Sequence, residues 1–269
     1  MSPSTDLREN REFASEIKFL VTPVIAAQIR DWARGRLISD PNASDESGDG
    51  YQITSLYFDT GQCDVFQRKG SFGRSKYRIR RYGQSEVVFL ERKLKTRGLL
   101  TKRRSIVKLE ELKRLAGETP SWDWPGFWFH RRFLARSLGP VCQIAYHRTA
   151  RVAMTRHGPI RLTLDATPRA VPTGELSFCE DEGRLLLPDQ VILELKFRYE
   201  LPVLFKSLAE EFALNSQPVS KYRLAVAALA AGPALAEAAA TPVPDKGDTA
   251  WMLLSTILVL LMTIPGLAL

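Results

Sequence analysis

Three short segments of the chain repeat one pattern, in which a glutamate and a lysine stand two residues apart within a stretch typical of a β-strand. They are Glu16–Lys18, Glu91–Lys93 and Glu194–Lys196. Side chains alternate between the two faces of a strand, so each glutamate projects to the same side as its lysine. Because buried charges are costly unless they meet an opposite charge, a metal ion or a charged ligand, the repetition predicts a charged interior for a polyanion and its metal ion.

Much of the chain alternates with period two, which predicts a large β-sheet. Candidate strands lie at 16–20, 51–59, 75–82, 86–95, 101–109, 143–153, 160–166, 176–180 and 190–199, and candidate helices at 23–36, 109–117, 125–138, 202–214 and 220–231. Many strands with few helices between them favour an antiparallel sheet closed on itself over βαβ units. The predicted fold is therefore α+β: a closed antiparallel β-barrel with flanking helices, plus a hydrophobic helix at the C-terminus.

The predicted strands have one charged face and one apolar face. In 75–82, for example, Lys76, Arg78 and Arg80 share a side. On a single strand such a face is most often exposed to solvent, with the apolar face in the core. A barrel offers the reverse arrangement, in which helices cover the apolar outside and the charged faces line a tunnel. The recurrence of acid and base pairs on successive strands favours the tunnel.

Composition narrows the class of partner. A formal net charge of +8 and an isoelectric point near 9.5 favour an anionic partner. Nucleic acid is disfavoured, because the basic residues alternate with acidic ones instead of forming a stripe. The three cysteines are odd in number and lack CxxC spacing, which argues against a disulfide framework and a zinc site and fits a cytoplasmic setting.

The last twenty residues, 250–269, contain no charged residue, and Trp251 stands near their start like an interfacial anchor. The segment has about the length needed to span a bilayer, and an Ala/Pro-rich linker at 232–248 precedes it. A buried core helix is the alternative. The predicted organisation is a loose N-terminus at 1–12, a tunnel domain at 13–231, the linker, and a transmembrane helix at 249–269.

Seven short runs between residues 12 and 230 resemble, in the same order, the polyphosphate polymerase domain of the VTC family. That family is a branch of the triphosphate tunnel metalloenzymes and is related to the CYTH phosphohydrolases. The runs are Ser55–Thr60, Lys76–Arg80, Phe89–Lys93, Tyr146–Arg148, Arg161–Asp165, Leu193–Lys196 and Ser220–Tyr222. The resemblance implies the triphosphate tunnel fold and an ATP-polyphosphate phosphotransferase, which adds the γ-phosphoryl group of ATP to a growing polyphosphate chain.

The resemblance also implies roles for individual residues. Those expected to be catalytic, by binding the triphosphate and the growing chain, are Lys18, Arg78, Arg80, Lys93, Arg148 and Lys221. Those expected to bind substrate beside them are Tyr146, Arg161, Lys196, Ser220 and Lys95. A divalent metal ion, Mn²⁺ or Mg²⁺, is expected on Glu194; Glu91 and Glu16 are further metal candidates, for which a salt-bridge role is the alternative. These residue types suit phosphoryl transfer, which needs positioning and charge neutralisation more than a protein nucleophile.

One departure from the family pattern bears on the reaction. Hydrolytic CYTH proteins carry a Glu-x-Glu-x-Lys signature near the N-terminus, and the corresponding residues here are Ala14, Glu16 and Lys18. The missing first acid favours the polymerase over an inorganic triphosphatase of the CYTH type. A non-catalytic polyphosphate-binding sensor is the second alternative, and the retention of both Lys18 and Glu194 argues against it.

The C-terminal segment carries a resemblance of its own, to the first transmembrane helix of ammonium transporters. The similar runs are Asp248–Trp251 and Leu260–Leu269. They imply fusion to, or association with, a transporter-like membrane domain. Because the use of ATP requires the cytoplasm, the expected location is a cytoplasmic domain tethered to the inner (plasma) membrane by residues 250–269.

Overall fold

The computed structural model describes residues 6–9, 15–43, 45, 48–96 and 99–231, with side chains at all of these except 6–9, 95–96 and 99–100. Every structural statement below refers to this part of the chain. The predicted linker at 232–248 and transmembrane helix at 249–269 lie outside it. Within it, no helix combines the length and the apolar character needed to cross a bilayer.

The fold is α+β, and its strands form one sheet. The strands are β1 (Asp6–Glu9), β2 (Ser15–Val21), β3 (Ile38–Ser39), β4 (Gly50–Thr60), β5 (Ser75–Tyr82), β6 (Val87–Thr96), β7 (Leu99–Lys108), β8 (Leu138–Thr155), β9 (Gly158–Pro172), β10 (Arg184–Leu185) and β11 (Val191–Phe197). The helices are α1 (Pro23–Arg34), α2 (Asp64–Gln67), α3 (Phe127–Ala135), α4 (Val203–Glu211) and α5 (Lys221–Ala230), with 3₁₀ helices at Gly70–Arg74 and Leu109–Ala116.

The prediction of a closed barrel is wrong, because the hydrogen-bonded path of strands has two ends. The order is β1-β7-β6-β5-β4-β8-β9-β11-β2, antiparallel throughout, with β3 paired to β8 and β10 to β9. Closure would require β2 to pair with the outer edge of β7. That edge is taken by β1, in a register that runs from Asp6 opposite Ser105 to Glu9 opposite Lys102. Residues 6–9, inside the segment predicted to be loose, therefore occupy the position of a closing strand.

The open sheet is nevertheless curled, because its two halves meet through side chains. Lys93 on β6 lies 2.9 Å from the carboxylate of Glu16 on β2, although these strands are far apart in the path. The two side chains can touch only if the sheet bends round so that one face is concave. We call this face the inner face; it carries the charged residues of the strands.

The outer face is apolar and is covered by helices. On one side, Ile29 of α1 and Phe205 of α4 pack against Leu193 of β11 and are fully buried. On the other side, Phe129 of α3 packs on Leu90 of β6. Each such side chain contributes on the order of 1.5–3 kcal/mol by leaving water. This is the arrangement predicted for a tunnel, in which helices cover the apolar side and the charged side faces inward. Helix α5 is an exception, because it packs on the inner face, where Tyr222 stacks on Tyr57.

One predicted strand is absent. The segment 176–180 forms no strand, and Arg184–Leu185 supplies the short β10 instead. The physical reason is a side-chain clamp: the Gln143 amide donates to the carbonyl oxygen of Cys179 at 2.7 Å and accepts from its backbone N–H at 3.0 Å. This amide satisfies the backbone groups that a neighbouring strand would otherwise pair.

Candidate functional site

The inner face is organised in rows, because residues directly opposite each other on neighbouring strands share a face. Across β5, β6 and β7 the register pairs Lys76 with Lys93 and Lys93 with Lys102; we call these three residues the lysine row. Two residues further along the same strands it pairs Arg78 with Glu91 and Glu91 with Arg104; these form the arginine row.

The arginine row is held together by a carboxylate at its centre. Glu91 is 1% exposed and accepts from Arg78 Nε at 2.6 Å and from Arg104 Nε at 2.8 Å. Lys102 Nζ lies 3.1 Å from the same carboxylate. Although burial acts to raise it, the pKa of Glu91 stays well below its usual range because Arg78 and the other cations stabilise the ionised form. Both carboxylate oxygens meet cations, so these contacts favour the salt-bridge role for Glu91 over the metal-ligand role.

Four arginines of the inner face also donate to tyrosine hydroxyl groups. The pairs are Arg78 Nη1 with Tyr57 (3.2 Å), Arg80 Nη2 with Tyr146 (3.1 Å), Arg104 Nη2 with Tyr82 (3.2 Å) and Arg161 Nη2 with Tyr51 (2.7 Å). A phenol orients a guanidinium group without the full charge of a carboxylate. The arginines in turn affect the phenols: burial acts to raise the pKa of Tyr82, but Arg80 and Arg104 lower it to about 7. Positive charge around this phenol is therefore incompletely compensated.

A second carboxylate cluster lies on β2 and β11. Lys18 Nζ lies 3.7 Å from Glu16 and 3.6 Å from Glu194, which places the two carboxylates on either side of one ammonium group. Lys196 approaches Glu194 at 2.9 Å, and Lys93 approaches Glu16 at 2.9 Å. Burial acts to raise the pKa of Glu194, yet Lys196 and Lys18 hold it well below its usual range. Both carboxylates are thus ionised and surrounded by lysines.

A third cluster is centred on Asp165 of β9. Arg148 donates to both of its carboxylate oxygens, at 2.6 and 2.7 Å, and Lys221, the first residue of α5, contacts one of them. Asp165 is fully buried, and its pKa is lowered by Arg148 and Lys221 against the opposing effect of burial. Ser220 precedes Lys221 in the chain, and its Oγ accepts a hydrogen bond from Lys76 Nζ at 2.8 Å.

A fully buried hydroxyl group lies between these clusters. Thr163 is opposite Glu194 in the register of β9 and β11, and its Oγ1 has no hydrogen-bond partner in the described part of the chain. A buried hydroxyl without a partner costs free energy. Together with the depressed pKa of Tyr82, it indicates that the inner face is built to receive polar groups from a ligand.

Comparison with known proteins assigns the chain to a family. The model of the VTC domain matches residues 13–230. The chain belongs to the VTC domain family. No curated protein matches the sequence significantly.

Solved structures share the fold of this VTC domain. A provisionally assigned adenylate cyclase from Bacillus halodurans matches with a TM-score of 0.50 at 16% identity, over 77% of this chain and 94% of that one. HpAC1 from Hippeastrum, a provisional adenylyl cyclase reported with a dominant triphosphatase activity, matches with a TM-score of 0.46 at 14% identity, over 81% and 95%. At 16% identity the first likeness shows the fold alone. Family and fold together confirm the predicted kinship with the triphosphate tunnel superfamily. They give no support to the resemblance of residues 248–269 to an ammonium transporter.

The VTC domain brings most of the predicted site residues onto its inner face. Those placed there are Glu16, Lys18, Arg78, Arg80, Glu91, Lys93, Tyr146, Arg148, Arg161, Glu194, Lys196, Ser220 and Lys221. The side chain of Lys95 lies outside the described residues. The three metal candidates do not form one cluster, since no group of three or more His, Cys, Asp or Glu side chains suited to a metal occurs in the described residues. Glu16 and Glu194 share Lys18, whereas Glu91 belongs to the arginine row.

Several inner-face residues were not among the predicted site residues, although from sequence the basic run Lys102–Arg104 could equally bind a phosphate chain at the tunnel rim or be a solvated turn. They are Lys76, Lys102, Arg104 and the tyrosines 51, 57 and 82. Alternation along β5 already placed Lys76 beside Arg78, so this lysine could have been found. Lys102 and Arg104 follow from alternation only once β7 is known to pair with β6. The tyrosine pairs needed the three-dimensional structure.

Proposed function

We propose that this VTC domain is a polyphosphate polymerase, which transfers the γ-phosphoryl group of ATP to the end of an inorganic polyphosphate chain. The observation that supports this most is the lysine row, in which two lysines of the inner face, Lys76 and Lys93, have depressed pKa values. Burial and neighbouring lysines lower the pKa of Lys76 to about 7. Burial and Lys18, opposed by Glu16, bring that of Lys93 to about 8. The negative charge around these two lysines is too small to stabilise their ammonium form fully, and a bound polyanion would add to it.

The spacing of the row suits an extended ligand. Neighbouring strands lie about 4.8 Å apart, so the three lysines span roughly 10 Å across β5, β6 and β7. A ligand with several phosphate groups in succession can contact all three ammonium groups at once. The lysine row lies on the concave face of the sheet, and this shape suits a linear substrate better than a bulky one.

The arginines suit the reacting phosphoryl group. Phosphoryl transfer depends on alignment and on neutralisation of charge at the phosphoryl oxygens, with little covalent help from the protein. Arginine forks provide directed donors for these oxygens, and here tyrosine hydroxyls fix the orientation of Arg78 and Arg80 before substrate arrives. The attacking oxygen belongs to the acceptor phosphate, so no side-chain nucleophile is required.

A divalent metal ion fits the pair of carboxylates Glu16 and Glu194. Ions such as Mg²⁺ are commonly held by one or two carboxylates together with substrate phosphate oxygens. The two carboxylates are ionised and both approach Lys18, while Glu16 also pairs with Lys93 and Glu194 with Lys196. A bound ion would displace these lysine ammonium groups, which are more mobile than the arginines on Glu91, and phosphate oxygens would supply the remaining ligands. When bound, the ion would neutralise charge on the triphosphate; the specific metal stays a prediction.

The decisive experiment follows the product. The full-length protein is incubated with ATP and either Mn²⁺ or Mg²⁺, and the product is separated on a polyacrylamide gel stained for polyphosphate. A ladder of long polymer supports the polymerase. Orthophosphate released from tripolyphosphate, without polymer, would identify an inorganic triphosphatase. Binding of tripolyphosphate without turnover of any substrate would identify a sensor. Heat-denatured protein and a reaction without metal are the controls.

The predicted location remains a proposal. Use of ATP places the domain in the cytoplasm, and residues 250–269 would tether it to the inner membrane. Fractionation of cells that produce the full chain tests this. Recovery in the membrane fraction that is lost on deletion of 249–269 supports the tether, and recovery of the intact protein in the soluble fraction contradicts it.

A further inference from the structure

Lys76 differs from the other inner-face lysines in its partners. Within the described part of the chain, no carboxylate lies within 4.0 Å of its ammonium group, and its one polar contact is Ser220 Oγ at 2.8 Å. The other inner-face lysines with described side chains each approach an acid: Lys18 and Lys196 approach Glu194, Lys93 approaches Glu16, Lys102 approaches Glu91, and Lys221 approaches Asp165.

The surroundings of Lys76 are mostly cationic. The charged groups that affect its pKa most are Lys18 and Glu16 on β2, Lys93 directly opposite on β6, and Arg78 on its own strand; Ser220, before α5, is its hydrogen-bond partner. Like charges directly opposite each other destabilise a sheet, and burial adds to this cost. Glu16 is the acid in this set, and it is already engaged by Lys93. The position is therefore costly without a ligand.

Ser220 gives this costly position a fixed geometry. It lies next to Lys221, which is tied to Asp165, and its Oγ holds the Lys76 ammonium group at hydrogen-bonding distance. A hydroxyl orients the lysine without neutralising it. The ammonium group of Lys76 is thus held in a fixed position, and no carboxylate of the described residues compensates its charge at contact distance.

We propose that Lys76, held by Ser220, is a phosphate-binding residue of the site and takes up a proton when a phosphate chain binds. This deepens the proposed function and rests on it only for the class of ligand, a linear chain of phosphates. Without ligand, burial and the charges of Lys18 and Lys93 hold the pKa of Lys76 at about 7, so the amine is about half neutral at pH 7. A polyanion favours the charged form, and the proton comes from the buffer.

The test measures binding and proton uptake without turnover. Tripolyphosphate is titrated into the full-length protein at pH 7 by isothermal calorimetry, without ATP and with a metal chelator. Two buffers of different ionisation enthalpy give the number of protons taken up. We expect Lys76→Gln to weaken binding by about tenfold or more, because a charge-assisted contact is lost. We expect Lys76→Arg to bind within about threefold of wild type but to take up about half a proton less, because arginine stays protonated.

Two controls separate this role from a structural one. Lys206→Gln removes an exposed lysine of α4 and should change neither quantity. Circular dichroism and thermal melting show whether each variant is folded. If Lys76→Gln does not fold, Lys76→Arg still tests the proposal. The proposal is overturned if Lys76→Gln binds like wild type, or if Lys76→Arg takes up as many protons as wild type.

The outcome is independent of polymer synthesis. Wild-type protein that binds tripolyphosphate through Lys76 but makes no polymer contradicts the proposed function and leaves this inference standing. Polymer synthesis together with unchanged binding by Lys76→Gln contradicts this inference and leaves the proposed function standing. Failure of the wild type to bind tripolyphosphate without metal contradicts this inference, and the gel assay with metal then decides the proposed function.

Discussion

The arginine row and the lysine row are built on the same three strands, two residues apart, but they differ in how far acidic residues compensate their positive charge. The arginine row has Glu91 at its centre, and both flanking arginines donate to it. The lysine row has Lys93 at its centre, with a lysine on each side. The first row is compensated from within the sheet. In the second, Glu91 compensates Lys102 and Glu16 reaches across from β2 to Lys93, whereas Lys76 has no acid within 4.0 Å in the described part of the chain.

The difference teaches how one face can combine rigidity with affinity for an anion. A compensated row holds three strands together whether or not ligand is present. An uncompensated row costs stability in the free protein, and a bound phosphate chain relieves this cost. Sites commonly keep such unfavourable features where the ligand supplies the missing charge. We therefore expect the arginine row to matter most for stability and the lysine row most for binding.

The largest expected effect is on stability, from Glu91→Gln. The substitution leaves the partly buried cations Arg78, Arg104 and Lys102 around a buried neutral amide. Removing one partner from a buried ionic network typically costs about 3–5 kcal/mol. Urea unfolding of the variant at pH 7 should show a loss of that order. A loss below about 1 kcal/mol would show that the row is not the structural element described here.

Sequence reasoning placed the row residues of β5 and β6 on one face but did not give their pairing across strands. Alternation within β5 and β6 places Lys76 with Arg78, and Glu91 with Lys93, on one face. Which residue stands opposite which depends on the register between strands, and the turn between β5 and β6 sets that register. The contrast between a compensated and an uncompensated row could therefore not be derived from the sequence alone.

The open sheet was missed for a different reason. Residues 6–9 are mostly polar and have no apolar alternation, so nothing in their own pattern predicts a strand. They pair because the edge of β7 offers unpaired backbone groups. Tertiary context of this kind overrides local propensity, whereas α1, α3 and α4, which cover the outer face, follow from their own periodicity and lie where they were predicted. The short helix α2 was not predicted, and the helix predicted at 109–117 is a 3₁₀ helix.

The second prediction compares two carboxylates by substituting Glu194→Gln. Glu194 meets two lysines, at 2.9 and 3.6 Å, whereas Glu91 meets two arginines and a lysine, so we expect a smaller stability loss than for Glu91→Gln, about 1–3 kcal/mol. As a candidate metal ligand it should instead be needed for turnover, and polymer synthesis from ATP should fall by about 100-fold or more. Mn²⁺ binding followed by electron paramagnetic resonance should weaken in parallel. Full activity with Mn²⁺ present would remove the metal assignment.

The third prediction concerns pH and the cost of charge at Lys76. Its folded-state pKa of about 7 lies below that of an unfolded lysine, so between these values the unfolded chain binds more protons and stability rises with pH. The charge therefore destabilises the free protein most below pH 7. Lys76→Gln should melt at a higher temperature than wild type at pH 6, and this advantage should shrink toward pH 9. Equal melting temperatures at pH 6 would contradict the uncompensated row.

The smallest expected effect tests the tyrosine hydroxyls that orient the arginines. Tyr57→Phe removes the acceptor of Arg78 Nη1 but leaves the bond from Arg78 Nε to Glu91. The arginine keeps its charge and most of its position, so stability should fall by about 1 kcal/mol. The KM for ATP should rise about threefold while kcat stays within twofold, because orientation in the bound complex is largely restored by the substrate itself. Tyr199→Phe, at a tyrosine that is 64% exposed, is the matched control and should change neither constant. If the two variants behave alike, the hydroxyl of Tyr57 has no role in aiming Arg78, and the compensated row is oriented by Glu91 alone.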